Sequence, residues 1–246
     1  MIRLLVCIDD TDNLDSIGTG EIADQIAMMV RKQAWGVASR VTRHQLFIHE
    51  DIPYTSHNSS MCFEATVDED RLDEFNSFCQ RHLVKFHADG SDPGLCIVNL
   101  NDFTAENELI EFGQKAKKMV LTKEEAYQFA RDNGIHLTEH GGTGQGVIGA
   151  LAGCGLRLSG NDGRFRGKRK LPHPVMSVEE ILKDEHIDQV RTENGTVLPL
   201  QTLIDVTGNA KTVFLDHQSV LLVQEKSPDE NQAGWELISK EKLKKY

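Results

Sequence analysis

Ile8-Asp9-Asp10-Thr11-Asp12 closes an apolar run, Leu4-Leu5-Val6-Cys7, and puts three carboxylates and a hydroxyl within four residues. Fixed carboxylate oxygens at the mouth of a strand suit a hard cation such as Mg²⁺, which commonly arrives with phosphates. The alternative is a polar turn that caps the following helix. A second stretch with chemical potential is Gly141-Gly142-Thr143-Gly144-Gln145-Gly146, continuing to Gly149. Gly144, Gly146 and Gly149 fit the G-x-G-x-x-G spacing, after a predicted strand and at the start of a helix. Glycines let backbone N–H groups approach an anion, and a helix N-terminus favours negative charge. Three readings stay open: a phosphate cradle, a turn that permits close helix packing, and a dinucleotide site. Asp162 lies near the place of a ribose-binding acid, but Gly153 and Gly155 interrupt the intervening helix. No Lys-Ser/Thr pair closes the turn, so it is not a Walker motif. An acid cluster for a metal and a glycine turn for phosphates are together what nucleoside triphosphate chemistry needs.

These stretches must be positioned by regular elements. Residues 2–8 read as a buried strand. Ile22, Ala23, Ile26, Ala27, Met29 and Val30 recur at helical spacing between Gly20 and Ala34. Residues 37–49 read as a β-branched strand, 61–67 as an alternating strand, 70–84 as a helix and 95–99 as a fourth strand. The order is β-α-β-β-α-β, a ferredoxin-like pattern. Helices are expected at 106–119 and 122–132, the second opened by a Thr122–Glu125 capping box and ended by Asn133-Gly134. A strand at 135–139 leads into the glycine turn, and a short helix at 147–152 follows it. Beyond Pro172 and Pro174 the pattern becomes β-rich. A hairpin is expected at 190–198 around Asn194-Gly195, with strands at 212–215 and 219–224. The expected division is a catalytic region over 1–170 and a small β-rich domain with a charged tail over 172–246.

The remaining polar residues carry less. His44 and His49 point to opposite faces of a predicted strand, which argues against a shared metal. His57 and Asn58 lie in a loop, and His136 and His140 flank the glycine turn. Cys62, Cys79 and Cys96 fall on apolar faces and read as core. The chain has 246 residues with 39% hydrophobic and 26% charged, ordinary for a globular protein with a sizeable core. Its five cysteines show no C-x-x-C spacing, so a structural zinc site or disulfide scaffold is not expected and reduced thiols in the cytoplasm are. No apolar run is long enough to span a membrane, and no signal peptide is expected. A net charge of −11 excludes nucleic-acid binding through the overall field. The basic run from Arg164 to Lys170 reads either as a solvated linker or as a local phosphate or RNA contact.

Four blocks, in order, resemble the archaeal tRNA-isoleucine agmatidine synthetase family. They are Ile8–Asp12 with the helix after Gly18-Thr19; Arg40-Val41-Thr42-Arg43 with the run Asp51 to Asn58; Asp92-Pro93-Gly94; and Gly144 to Ala152. The likeness spans about residues 2–160. It implies a kinase-like α/β catalytic region with a ferredoxin-like neighbour, an α+β protein that uses ATP and Mg²⁺. By this resemblance Asp9, Asp10 and Asp12 hold Mg²⁺ or orient the acceptor, with Thr11 beside the nucleotide. Gly144, Gly146 and Gly149 cradle phosphates, Arg40 and Arg43 neutralise transferring charge, and His57 and Asn58 fall at the acceptor site. The family's Thr-Arg-Gly-Asn is Thr55-Ser56-His57-Asn58 here, and its zinc ribbon has no counterpart, so tRNA recognition of the family's kind and agmatine as substrate are not expected. The expectation is an ATP- and Mg²⁺-dependent enzyme that transfers a phosphoryl or adenylyl group to a small or base-like acceptor. The alternatives are a nucleotide- or RNA-binding module without turnover, and a dinucleotide-dependent oxidoreductase.

Overall fold

The computed structural model describes residues 1–52, 58–226 and 234–246. It divides into two compact units, Met1–Ser159 and Gly160–Tyr246.

In the first unit the elements run β1 (Ile2–Asp9), α1 (Thr19–Lys32), β2 (Gly36–Ala38), β3 (Thr42–Gln45), β4 (Ser59–Val67), α2 (Leu72–Phe86), β5 (Gly94–Asn99), α3 (Glu106–Ala116), α4 (Lys123–Asp132), β6 (His136–Glu139) and α5 (Gly146–Leu158). β1 is central. It pairs antiparallel with β4 on one side and with β5 on the other; β6 extends the sheet beyond β5, and β3 and β2 share the far edge of β4. Side chains on a strand alternate between faces. Leu4, Val6 and Ile8 pack with Ile22, Ile26, Phe75 and Leu83 of α1 and α2. Leu5 and Cys7 pack with Leu109, Val147 and Leu151 of α3 and α5. β1 therefore faces protein on both sides, which explains its unbroken apolar run. Each large aliphatic side chain buried this way contributes roughly 1.5–3 kcal/mol.

Two elements depart from expectation. The strand read over 37–49 is split. Ser39 still donates its N–H to the Glu64 carbonyl at 2.8 Å, but its hydroxyl accepts the Glu64 N–H at 2.9 Å in place of its carbonyl, and regular pairing with β4 resumes only at Thr42. The helix read over 147–152 runs on to Leu158, because Gly153 and Gly155 are points of contact and not breaks. A Cβ at Gly155 would run into the Leu109 backbone, and one at Gly153 into Cys7 and Ser60. The Thr122–Glu125 capping box that starts α4 is formed in both directions.

The second unit contains β7 (Arg164–Phe165), β8 (Val175–Ser177), α6 (Val178–Ile181), β9 (Gln189–Thr192), β10 (Leu203–Asp205), β11 (Thr212–Leu215), β12 (Gln218–Glu225), β13 (Trp235–Leu237) and α7 (Lys240–Leu243). β12 pairs antiparallel with β11 and β13 and parallel with β9. Leu221 and Val223 enter one apolar cluster, and Val220 and Leu222 another. Asn194-Gly195 does make a turn, but the expected hairpin is reduced to a bridge between Arg191 and Val197. In the basic run, Arg169 is held by Asp184 at 2.6 Å and pairs its backbone with Ala210. Residues 160–171 pack with this second unit. Together the units make a mixed α/β protein with mostly antiparallel sheet and seven helices among the described residues. No described helix is long and apolar enough to cross a membrane.

Candidate functional site

β1 delivers Asp9 to the edge of the core and the chain turns at Asp10, whose φ of 50° is left-handed. Asp and Asn are among the few side chains that tolerate this conformation. The loop is then pinned from two sides. The Ala88 N–H donates to the Thr11 carbonyl at 2.9 Å. Thr19, the first residue of α1, accepts the Thr11 N–H at 3.4 Å and donates its hydroxyl to Asp12 Oδ1 at 2.8 Å. Thr11 is fully buried, and its own hydroxyl finds no hydrogen-bond partner.

The glycine turn meets this loop. A Cβ at Gly149 would overlap the Asp9 carboxylate, and one at Gly146 would overlap the Asp92 carbonyl. Asp92, just before β5, ties the two together. One carboxylate oxygen accepts the Thr143 N–H and the other the Thr143 hydroxyl, each at 2.5 Å, while its carbonyl accepts the Gly146 N–H at 3.1 Å. Glycine is needed at 142 for two reasons: its φ is +57°, and a side chain there would strike the Asp92 carboxylate. On the other side of the turn Lys123, the first residue of α4, donates to Glu139 and to the Thr143 carbonyl, both at 2.8 Å.

Four carboxylates thus share one small region. Burial, then repulsion from Asp10 and Asp12, pushes the Asp9 carboxyl well above the usual range. Burial, then the charges of Asp92 and Asp12, raises Asp10 to about 6. Like-charged acids withdrawn from water disfavour ionisation, and a bound cation reverses that. Burial and the neighbouring His136 and His87 lower His140.

Of the residues singled out from the sequence, the fold brings together Asp9, Asp10, Thr11, Asp12, Gly146 and Gly149, with Gly144 one turn away beside Glu139 and Lys123. Arg43 is not among them. Its neighbours Thr42 and His44 face α5, so Arg43 points to the other side of the sheet, where its Nε donates to Ser59 at 2.9 Å. Asn58 is engaged in its own fold, donating its amide to the Phe47 carbonyl at 2.6 Å. His57 lies outside the described residues. Asp92, Thr143 and Lys123 were not assigned roles from the sequence. Asp92 does stand in the third motif block, and Lys123 follows the capping threonine, but neither signal reveals a contact across 51 or 20 residues.

No protein-family model matches the chain. Similarity comes from individual relatives. An uncharacterized protein of Methanocaldococcus jannaschii is 27% identical over 158 residues, covering 63% of this chain and 50% of its own. The decisive likeness is structural. The chain shares its fold with tRNAIle2 agmatidine synthetase. The apo structure of that synthetase superposes with a TM-score of 0.54 at 25% identity, covering 62% of this chain and 35% of the synthetase. Its complex with tRNA(Ile2) and ATP gives 0.56 at 22% identity over 82% of this chain and 50% of the synthetase. A tRNA fluorescent labeling enzyme gives 0.54 at 24% identity, covering 76% and 45%. This chain therefore spans half or less of each of these relatives, and the likeness read from four motif blocks holds in three dimensions.

Proposed function

We propose that this chain is a nucleotide-utilising enzyme of the agmatidine synthetase kind, transferring a phosphoryl or adenylyl group from Mg-ATP to an acceptor. In this reading residues 1–159 are the nucleotide-binding region and 160–246 a β-rich appendage. The run β1, α1, β2/β3, β4, α2, β5, with β5, β1, β4 and β3 side by side, supports a ferredoxin-like unit within it. One observation carries the proposal: Asp9 lies against Gly149 while Asp92 grips Thr143, so the acid cluster and the glycine turn form one constellation. The synthetase it resembles has been captured with ATP.

The residues present suit Mg²⁺. Hard oxygen donors are grouped, two of them, Asp9 and Asp10, are raised in pKa by burial and then by mutual repulsion, and a buried hydroxyl without a partner accompanies them. Asp9, Asp10 and Asp12 would hold the ion, which when bound offsets charge on phosphate oxygens. Thr19 keeps Asp12 oriented. The N–H groups of Gly146, Val147 and Ile148 already have acceptors within the fold, so nucleotide phosphates would meet the preceding loop, residues 141–145, with Lys123 alongside. The acceptor is small or base-like. The antiparallel arrangement around β5 and β6 lacks the parallel βαβ crossover on which a dinucleotide fingerprint depends.

Incubating the chain with Mg-ATP and a panel of nucleobase, nucleoside and amine acceptors, while following phosphate, pyrophosphate and AMP, tests this reading. Acceptor-dependent release of any of them supports it. Tight ATP binding with no product across the panel supports a binding module instead, which the internal engagement of Asn58 favours. No ATP binding at all overturns both.

A further inference from the structure

A second constellation lies beneath α5, in the core. Cys7 of β1 stands opposite Cys62 of β4 and opposite Cys96 of β5, so three cysteines sit side by side on adjacent strands. All three face α5, which lowers Cys154 toward them. The sulfurs of Cys7, Cys62 and Cys154 all lie within 4.8 Å of one another, and none of these residues is exposed. Ser60 projects from the same strand as Cys62, and its buried hydroxyl has no hydrogen-bond partner. Ser60 Oγ and the Cys7 sulfur both border the point where Gly153 would carry a Cβ. Arg157 sets positive charge beside Cys62, its guanidinium fixed by Thr42 at 3.1 Å and Ser39 at 3.2 Å.

Apolar packing alone does not require three sulfurs from three separate elements to converge. Around a zinc ion with Zn–S bonds near 2.3 Å, neighbouring sulfurs stand about 3.8 Å apart. The trio is within a side-chain adjustment of that spacing. Thiolates in a closed, apolar site select soft cations over Mg²⁺ or Ca²⁺.

We propose that Cys7, Cys62 and Cys154 form a structural site for one thiophilic d¹⁰ cation, Zn²⁺ or Cu⁺, with Ser60 Oγ available as a fourth donor. Binding displaces the three thiol protons, and the residual negative charge faces the Arg157 guanidinium. The ion would staple α5 to β1 and β4 from below. This proposal does not depend on the one made for the acid cluster.

The test uses the full chain, reduced and handled anaerobically. Zn²⁺ is titrated in competition with a chromophoric chelator, Cu⁺ in competition with a copper(I) chelator, and Co²⁺ is added as a spectroscopic reporter of thiolate ligation. One equivalent bound, with sulfur neighbours in X-ray absorption of the wild-type protein, is the expected result. Cys154→Ala should weaken binding by about 100-fold or more, whereas Cys79→Ala, on the opposite face of the sheet, should not. Failure of the wild type to bind any of the three ions stoichiometrically overturns the proposal. So does a bound ion with no sulfur neighbours, a readout that survives even if Cys154→Ala does not fold.

Discussion

Asp10→Asn separates an acid cluster built for a cation from one that only shapes a turn. Asp10 is raised from its ordinary 3.8 to about 6 by burial and by the charges of Asp92 and Asp12. Below about pH 3.8 the group is protonated whether the chain is folded or not. Between about 3.8 and 6 the unfolded chain has released this proton and the folded one still holds it, so stability falls as pH rises through that window. Above about 6 the loss is complete and constant. A gap of about two pH units is worth ~3 kcal/mol, and screening by the water that reaches this half-buried group reduces it to about 1–2 kcal/mol. Asparagine fits the left-handed backbone as well as aspartate does, so the substitution adds no strain. In EDTA at pH 7.5 the variant should therefore melt higher than the parent, by about 3–6 °C for a protein of this size. Its stability should also depend less on pH between 4 and 6, although Asp9, itself raised, keeps part of that dependence. With Mg²⁺ the order should close up, because the parent gains stability from the ion in proportion to its affinity and the variant gains less. Thermal unfolding followed by circular dichroism at several pH values, with EDTA or Mg²⁺, reads all of this. A variant that melts lower than its parent in EDTA at pH 7.5 would refute the electrostatic account. Equal Mg²⁺ stabilisation of both proteins would refute the role of Asp10 as ligand.

Three further outcomes are expected. Asp12→Asn keeps an oxygen to accept the Thr19 hydroxyl, so it should fold normally but bind Mg-ATP about tenfold more weakly or worse in calorimetry. Gly149→Ala drives a methyl into the Asp9 carboxylate; it should cost ~1–3 kcal/mol in urea unfolding and lose nucleotide binding, whereas Gly134→Ala, strained by its left-handed backbone but with open space around it, should lose some stability and leave binding intact. Lys123→Met breaks a solvent-screened pair with Glu139, so the melting temperature should change little, while ATP affinity falls about tenfold if the ammonium meets phosphate.

Local signals in the sequence proved dependable where one residue settles one geometry. Thr122 and Glu125 cap α4 as their spacing predicts, and the apolar run before Asp9 is buried on both faces as its continuity implies. Gly153 and Gly155 misled, because a glycine that ends a helix and one that admits a neighbouring backbone look alike until the neighbour is known. The same limit governs the site. The acids and the glycines could be picked out by type, but Asp92 and Lys123 gain meaning only through Thr143, and that contact exists only once β5 and α4 have packed. The face that Arg43 presents could not be read from its strand, because the split at Ser39 shifts the alternation by one residue between Ala38 and Thr42.

The two-sided burial of β1 bears on how such a protein can change its trade. Leu4, Val6 and Ile8 belong to one core and Leu5 and Cys7 to another, so every substitution from Leu4 to Ile8 disturbs one set of helices or the other. The acids at its tip carry no such weight; two of them oppose their own burial. Rewriting the last few positions alters what the molecule can hold while leaving its architecture untouched. A strand of this kind can outlive the reaction it first served and present a different one at the same address.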